Sequence, residues 1–160
     1  FFDQNANGEV RLAHPTYVTN LEAGDDRIAK ATLRTTSASN SGLTSNRDVW
    51  VYTSSTAPIP IIRNEELILI YAEANIQNDQ LTVGRDALNV IRNGHGLADY
   101  SGPLTKAALI DEMLKQRRYS LFFEGHRWID MRRYDRLNTL PIDRAEDDVW
   151  SAMPIPSTEL

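Results

Sequence analysis

Between residues 67 and 72 the chain reads Leu67-Ile68-Leu69-Ile70-Tyr71-Ala72, its longest apolar run. The flanks of this run make it a helix. Asn64 is a candidate N-cap, and Glu65 and Glu66 fall in the first turn, where the helix dipole favours negative charge. The pattern carries the helix to about Gln77, and the run is apolar almost all round. A helix of that kind is expected to be the central, buried one. It is far shorter than the 18 or so residues that a membrane-spanning helix needs.

Three more helices follow from capping and periodicity. Thr82 is the expected cap of the second, with Val83, Ala87, Val90 and Ile91 as its stripe and Asn93-Gly94 as its stop. Joined through Asn78–Leu81, the first two form a helical hairpin. Thr105 is the expected cap of the third, with Ile110, Met113, Leu114 and Leu121 at helical spacing. Gly125 marks a break, and a fourth helix is expected from about His126 to Arg136. A hairpin of this size is also the unit from which helical solenoids are built.

The chain divides near residue 63. Residues 1–62 carry little helical periodicity. Thr35-Thr36-Ser37-Ala38-Ser39-Asn40-Ser41-Gly42 reads as a polar loop, and Asp48-Val49-Trp50-Val51-Tyr52-Thr53 as a short strand. Pro58 and Pro60 end any sheet or helix there. The alternative is that all of 1–62 is ordered loop lying on a larger body. After Pro141 the chain turns irregular again. The expected organisation is one domain over 1–160, with a loop-rich part at 1–63, a helical part at 64–136 and an irregular tail at 137–160.

Composition removes several function classes. The formal charge is −5, a poor match to phosphate, so no nucleic-acid partner is expected. There is no cysteine, which excludes disulfides, thiol catalysis and cysteine-ligated metals. No cofactor is expected. The chain opens on Phe1 without a signal-peptide pattern and closes on Pro156-Ser157-Thr158-Glu159-Leu160; it reads as part of something longer.

Glu124, Arg127, Asp130 and Arg133 alternate in sign every three residues. On a helix these are i,i+3 neighbours able to pair. Arg117 falls inside an apolar stripe, so it needs carboxylates around it, and Glu73 is a candidate partner. An ion network fixing helix register is one reading; a catalytic carboxylate set is the other. His14, His95 and His126 have no metal-ligand spacing. Asn93-Gly94-His95-Gly96 follows a helix instead of opening one, so it reads as a helix stop and not a phosphate loop. No GxSxG elbow occurs. Trp128 is expected in the core, whereas Trp50 and Trp150 lie in irregular segments and are candidates either for packing or for stacking on a ligand.

Five blocks together resemble the SusD/RagB family. Ile62-Arg63-Asn64-Glu65-Glu66-Leu67-Ile68-Leu69-Ile70-Tyr71-Ala72-Glu73-Ala74 is similar to its "iRyaEllLiyAEA" block, and Ala87-Leu88-Asn89-Val90-Ile91-Arg92 to its "A…lN.vR" helix. Phe123-Glu124-Gly125-His126-Arg127-Trp128-Ile129-Asp130-Met131-Arg132-Arg133 resembles "fEGhRw.DlrR". Asp25-Asp26-Arg27 resembles the upstream "D.R", and Pro154-Ile155-Pro156 with Glu159 the closing "PiP..E". Two departures stand out. Asn64 replaces a common tyrosine, and Gln116-Arg117 with Ser120-Leu121 replace "eR..El", removing two carboxylates from the implied ion network.

The resemblance implies a mainly α, SusD-like fold: a TPR-like helical-hairpin scaffold with a loop-rich, β-poor N-terminal half that carries the ligand surface. It implies the C-terminal portion of a non-catalytic outer-membrane lipoprotein at the cell surface, whose lipidated cysteine lies outside this chain. It implies two partners, a glycan or other nutrient ligand and a SusC-like TonB-dependent transporter. The alternatives are an accessory fragment of a carboxylate-dependent glycoside hydrolase and a helical protein-interaction module. His14 and Tyr17 precede Asp25-Asp26-Arg27, in the stretch most like the family's variable ligand loops, and Trp50 lies just before the scaffold helices. These three, with Trp150, are the expected ligand contacts, since sugar rings stack on exposed aromatic faces.

Overall fold

The computed structural model describes residues 10–54, 56–152 and 155. Its order is a short helix α1 (Thr16–Thr19), a 3-10 turn (Asp26–Lys30), the strands β1 (Ala31–Asn40) and β2 (Leu43–Val49), and four longer helices. These are α2 (Asn64–Gln77), α3 (Leu81–Gly94), α4 (Lys106–Ser120) and α5 (His126–Arg133). The chain is mainly helical, with a two-stranded sheet. No helix among the described residues is long and apolar enough to cross a membrane.

Helix ends follow local chemistry, with some corrections. Arg63, in extended backbone, holds the cap position of α2, so Asn64 is its first helical residue and not its cap. Gln80 holds that position for α3, which places Thr82 inside the first turn. The reason is the tightness of the hairpin. Asp79 adopts φ +59° and the Gln80 N–H turns back to the Asn75 carbonyl at 2.9 Å, so α3 starts at once. Thr105 does cap α4, its side chain accepting from the Ala108 N–H. Gly125, at φ +82°, breaks the chain before α5. That helix stops at Arg133, short of Arg136, because Asp135 turns left-handed and the Arg136 N–H closes on the Met131 carbonyl at 2.7 Å.

The expected loop at 35–42 is instead the later part of β1 and the turn of a hairpin. Ala31↔Val49 and Asn40↔Leu43 bound an antiparallel pair whose register slips between Leu33 and Ala38. Ser41 and Gly42 both take positive φ, the turn geometry that matches strand twist. Most residues in the second half of β1 are exposed, so the polar composition reported solvent contact and not coil. The expected strand at 48–53 is correspondingly displaced, for only Asp48 and Val49 belong to β2.

Two apolar clusters form the core. The larger joins Leu69, Ala72 and Ile76 of α2 to Leu88 and Ile91 of α3, Leu109 and Met113 of α4, and Met131 of α5. The smaller gathers Ala13, Tyr17, Ala31 and Val49 around Tyr119 of α4. Helix α4 thus belongs to both clusters, and eight of its residues are buried against three in α2. This corrects the expectation for α2. Leu67, Ile70 and Tyr71 are about half exposed, and Leu88 replaces Val90 in the α3 stripe. α2 meets α3 closely at Gly84, where a Cβ would lie 2.5 Å from Ile76 Cγ1.

Candidate functional site

The buried part of α4 is polar, and arginines hold it. Arg27 and Asp25 form a pair with both side chains 1% exposed. Arg27 gives Nε and Nη2 to the Asp25 carboxylate at 2.8 and 2.7 Å, Nη2 to Gln116 Oε1 at 2.7 Å and Nη1 to Ser120 Oγ at 3.0 Å. Gln116 and Ser120, the departures from the family pattern, are therefore neutral acceptors for Arg27, and Gln116 passes the network on by donating Nε2 to Glu112 Oε1 at 2.8 Å. Arg92 of α3 binds Glu112 of α4 at 2.5 Å and both oxygens of Glu22 at 2.8 and 2.9 Å. Arg117 of α4 gives Nε to Asp130 of α5 at 2.7 Å.

The charge ladder at 124–133 is mostly not internal, then. Glu124 pairs with Arg63 at 2.6 Å, Asp130 with Arg117, and Arg133 with Glu73. Glu73 serves Arg133 and the Tyr134 hydroxyl, not Arg117. Arg127, expected to pair along the ladder, has no hydrogen bond or ion pair among the described residues. The i,i+3 contact that survives, Arg133 with Asp130, is long at 3.9 Å, whereas the shorter pairs are made with partners on other elements.

Charge placement shifts several groups. Hydrogen bonds from Arg92, with Lys115 adding its charge, hold the Glu22 carboxyl down at about 2. Burial lowers Lys30 to about 8 while its ammonium donates to the Tyr119 and Ser120 carbonyls. Burial, followed by the charge of Arg118, lowers Arg127. Asp25, Asp26 and His95 lie within 4.8 Å of one another, yet this is not an open metal site. Arg27 occupies both Asp25 oxygens, and His95 spends its two ring nitrogens on Asp26 at 2.6 Å and Glu65 at 2.7 Å.

Two cavities open beside α5. One, of about 360 Å³, lies between α1, the end of α4 and the start of α5, and includes Arg117, Arg118, Arg127, Phe122 and Trp128 in its wall. The other, of about 570 Å³, lies between Trp128, Ile129 and Arg132 on one side and Asp148, Trp150 and Ala152 on the other. Trp128 borders both, and its Nε1 donates to the Trp150 carbonyl at 3.1 Å.

The expected contacts separate. His14 and Tyr17 line the smaller cavity. His14 is anchored there, with Nδ1 2.8 Å from Thr16 Oγ1 and Nε2 3.1 Å from Asp143 Oδ1. Tyr17 is not an exposed platform: it is 1% exposed, packs on Tyr119 and Phe122 at 5.1 and 4.1 Å, and donates its hydroxyl to the Arg27 carbonyl. It borders the cavity only as a buried wall residue. Trp150 is exposed and lines the larger cavity, while the half-buried Trp50 lines neither. Trp128, expected in the core, is instead a wall residue. The available signal was its company, since a helix carrying Arg127, Arg132 and Arg133 has little apolar face in which to bury an indole.

The description of the SusD family matches residues 16–157. No curated protein matches the chain. Among solved structures, the crystal structure of a SusD superfamily protein from Bacteroides vulgatus ATCC 8482 shares 31% identity with it, at a TM-score of 0.48. The match covers 57% of this chain and 21% of that one, so the matched part spans about a fifth of that protein's length.

Proposed function

This chain belongs to the SusD family, and from that premise we propose that it is part of a non-catalytic, nutrient-binding protein of the bacterial cell surface. The protein captures glycans, is held at the outer membrane by a lipid anchor, and hands its ligand to a SusC-like TonB-dependent transporter. The family match over residues 16–157 carries this reading. The carboxylates support it. Asp25, Glu112 and Asp130 are each buried against an arginine, an arrangement suited to holding helices together and not to moving protons.

The ligand surface includes the larger cavity, where Trp128 and Trp150 offer exposed indoles on which a sugar ring stacks. His14 and Tyr17 contribute through the smaller cavity, and Trp50, which lines neither cavity, contributes from outside them. Calorimetric titration with a panel of glucans, galactans and xylans tests this. Trp150→Ala is expected to weaken binding at least tenfold with the melting temperature nearly unchanged. Release of reducing sugar from any member of the panel overturns the non-catalytic reading. Absence of saccharide binding altogether overturns the nutrient reading.

A further inference from the structure

Three arginines meet in the smaller cavity, and their donors are almost unused. Arg117 spends only Nε, on Asp130, and Arg118 gives Nη2 to Thr16 Oγ1 at 2.9 Å. Arg127 makes no hydrogen bond among the described residues. Each guanidinium carries five N–H groups. Arg27, by contrast, has five hydrogen-bond contacts from its guanidinium. Arg27 is thus fully paired, whereas Arg118 and Arg127 keep most of their donors open here. Among the described residues that line the cavity Asp130 is the one carboxylate, against three arginines.

We propose that this cavity binds an acidic sugar, with Arg127 and Arg118 meeting its carboxylate or sulfate group and Trp128 and Phe122 meeting its ring. The guanidinium fork suits the planar geometry of a carboxylate or the oxygens of a sulfate, and binds them most strongly where water is partly excluded. The aromatic wall supplies the apolar contact that a bare inorganic ion does not use. At about 360 Å³ the cavity falls within the roughly 300–1,000 Å³ of small-molecule sites. Burial and the neighbouring Arg118 already lower the Arg127 pKa, so an incoming anion relieves an existing unfavourable charge. The inference rests on the glycan-binding reading and narrows its ligand class.

Calorimetry with glucuronate, glucose 6-sulfate, glucose and inorganic sulfate tests it on the wild-type chain. One or both acidic sugars are expected to bind at least tenfold more tightly than glucose and than inorganic sulfate. Their relative affinity identifies which anionic group is preferred. Arg127→Gln is expected to remove at least tenfold of that affinity. Should this variant not fold, Arg118→Gln is read in the same way, and glucuronate or glucose 6-sulfate is expected to perturb the Trp128 fluorescence of a Trp50→Phe, Trp150→Phe chain. Equal affinity for glucose, equal affinity for inorganic sulfate, or unchanged affinity in both arginine variants overturns the proposal. Neutral glycans binding without any preference for acid overturns this inference and leaves the nutrient reading standing, whereas no saccharide binding overturns both.

Discussion

Arg27 shows what a buried charge needs. It sits 1% exposed beside an equally buried Asp25, with Gln116 and Ser120 satisfying the rest of its fork and Tyr119 under its guanidinium at 5.5 Å. An arginine in that place without acceptors would cost several kcal/mol. Asp25→Asn is therefore expected to lower stability by about 3–5 kcal/mol, since it strands a cation in a dry site. Gln116→Glu, which restores a carboxylate of the kind the family pattern has there, keeps an acceptor for Arg27 but loses the Nε2–H donated to Glu112 and sets its charge against that carboxylate. It is expected to cost less than Asp25→Asn, because Arg27 and Arg92 both stay beside the added charge, and chemical denaturation of both variants measures the difference. Equal losses would mean that local packing, not charge, governs the site. At this scale the sequence was informative about the need and uninformative about the partner. The position of Arg117 in an apolar stripe demanded a carboxylate, but Asp130 is 13 residues away and Glu73 was an equally good candidate on paper.

Among the elements, hydrophobicity ranked the helices wrongly. α2 is the most apolar segment, yet Leu67, Ile70 and Tyr71 are about half exposed, while the polar-looking α4 is buried along eight positions. Leu69 is wholly buried, and Leu69→Ala is expected to cost about 2–5 kcal/mol as a cavity-forming truncation. Tyr71→Ala, by contrast, is expected to cost under about 1 kcal/mol, as surface changes do. A denaturant melt that found the two equal would place α2 deeper in the core than its exposure allows. The α2–α3 contact makes a sharper demand at Gly84. A methyl group there meets Ile76 Cγ1 at 2.5 Å and the Ala72 carbonyl at 3.3 Å, so Gly84→Ala is expected to cost about 1–3 kcal/mol despite its better helix propensity. Combining it with Ile76→Ala is expected to cost less than the two losses added, because the clash is removed along with the isoleucine.

For the molecule as a whole, arginine–carboxylate pairs join the loop-rich part to the helices, so acid acts on the assembly and not only on the surface. Glu22 links the segment before β1 to Arg92 of α3 and Lys115 of α4. Its folded pKa of about 2 lies below the ordinary 4.5, so the folded state favours the charged form. The stability it contributes is present in full above pH 4.5 and is lost as pH falls from there toward 2. Glu22→Gln is expected to be less stable than wild type at pH 7, with the gap closing as pH approaches 2, which thermal melts across that range measure. A gap independent of pH would assign the loss to geometry and not to charge.

Helix existence, the Thr105 cap, the break at Gly125 and the family resemblance were legible without coordinates, because each depends on residues close together in the chain or on a linear pattern of them. The hairpin at 31–49 was not, since strand pairing joins residues up to 18 positions apart and its exposed half is polar. Nor was the choice of central helix. Burial depends on which neighbours cover a face, and α4 is covered on both sides because Arg27, Arg92 and Asp130 reach it from three other parts of the chain. The same holds for the candidate site. Residue type marked Trp150 and His14 as useful, but only the packed structure set Trp128 between two cavities and left Arg127 with no hydrogen-bonded acid among the described residues. Local sequence determined what each segment prefers to be, and tertiary packing decided which preferences were satisfied from within the chain and which were left open.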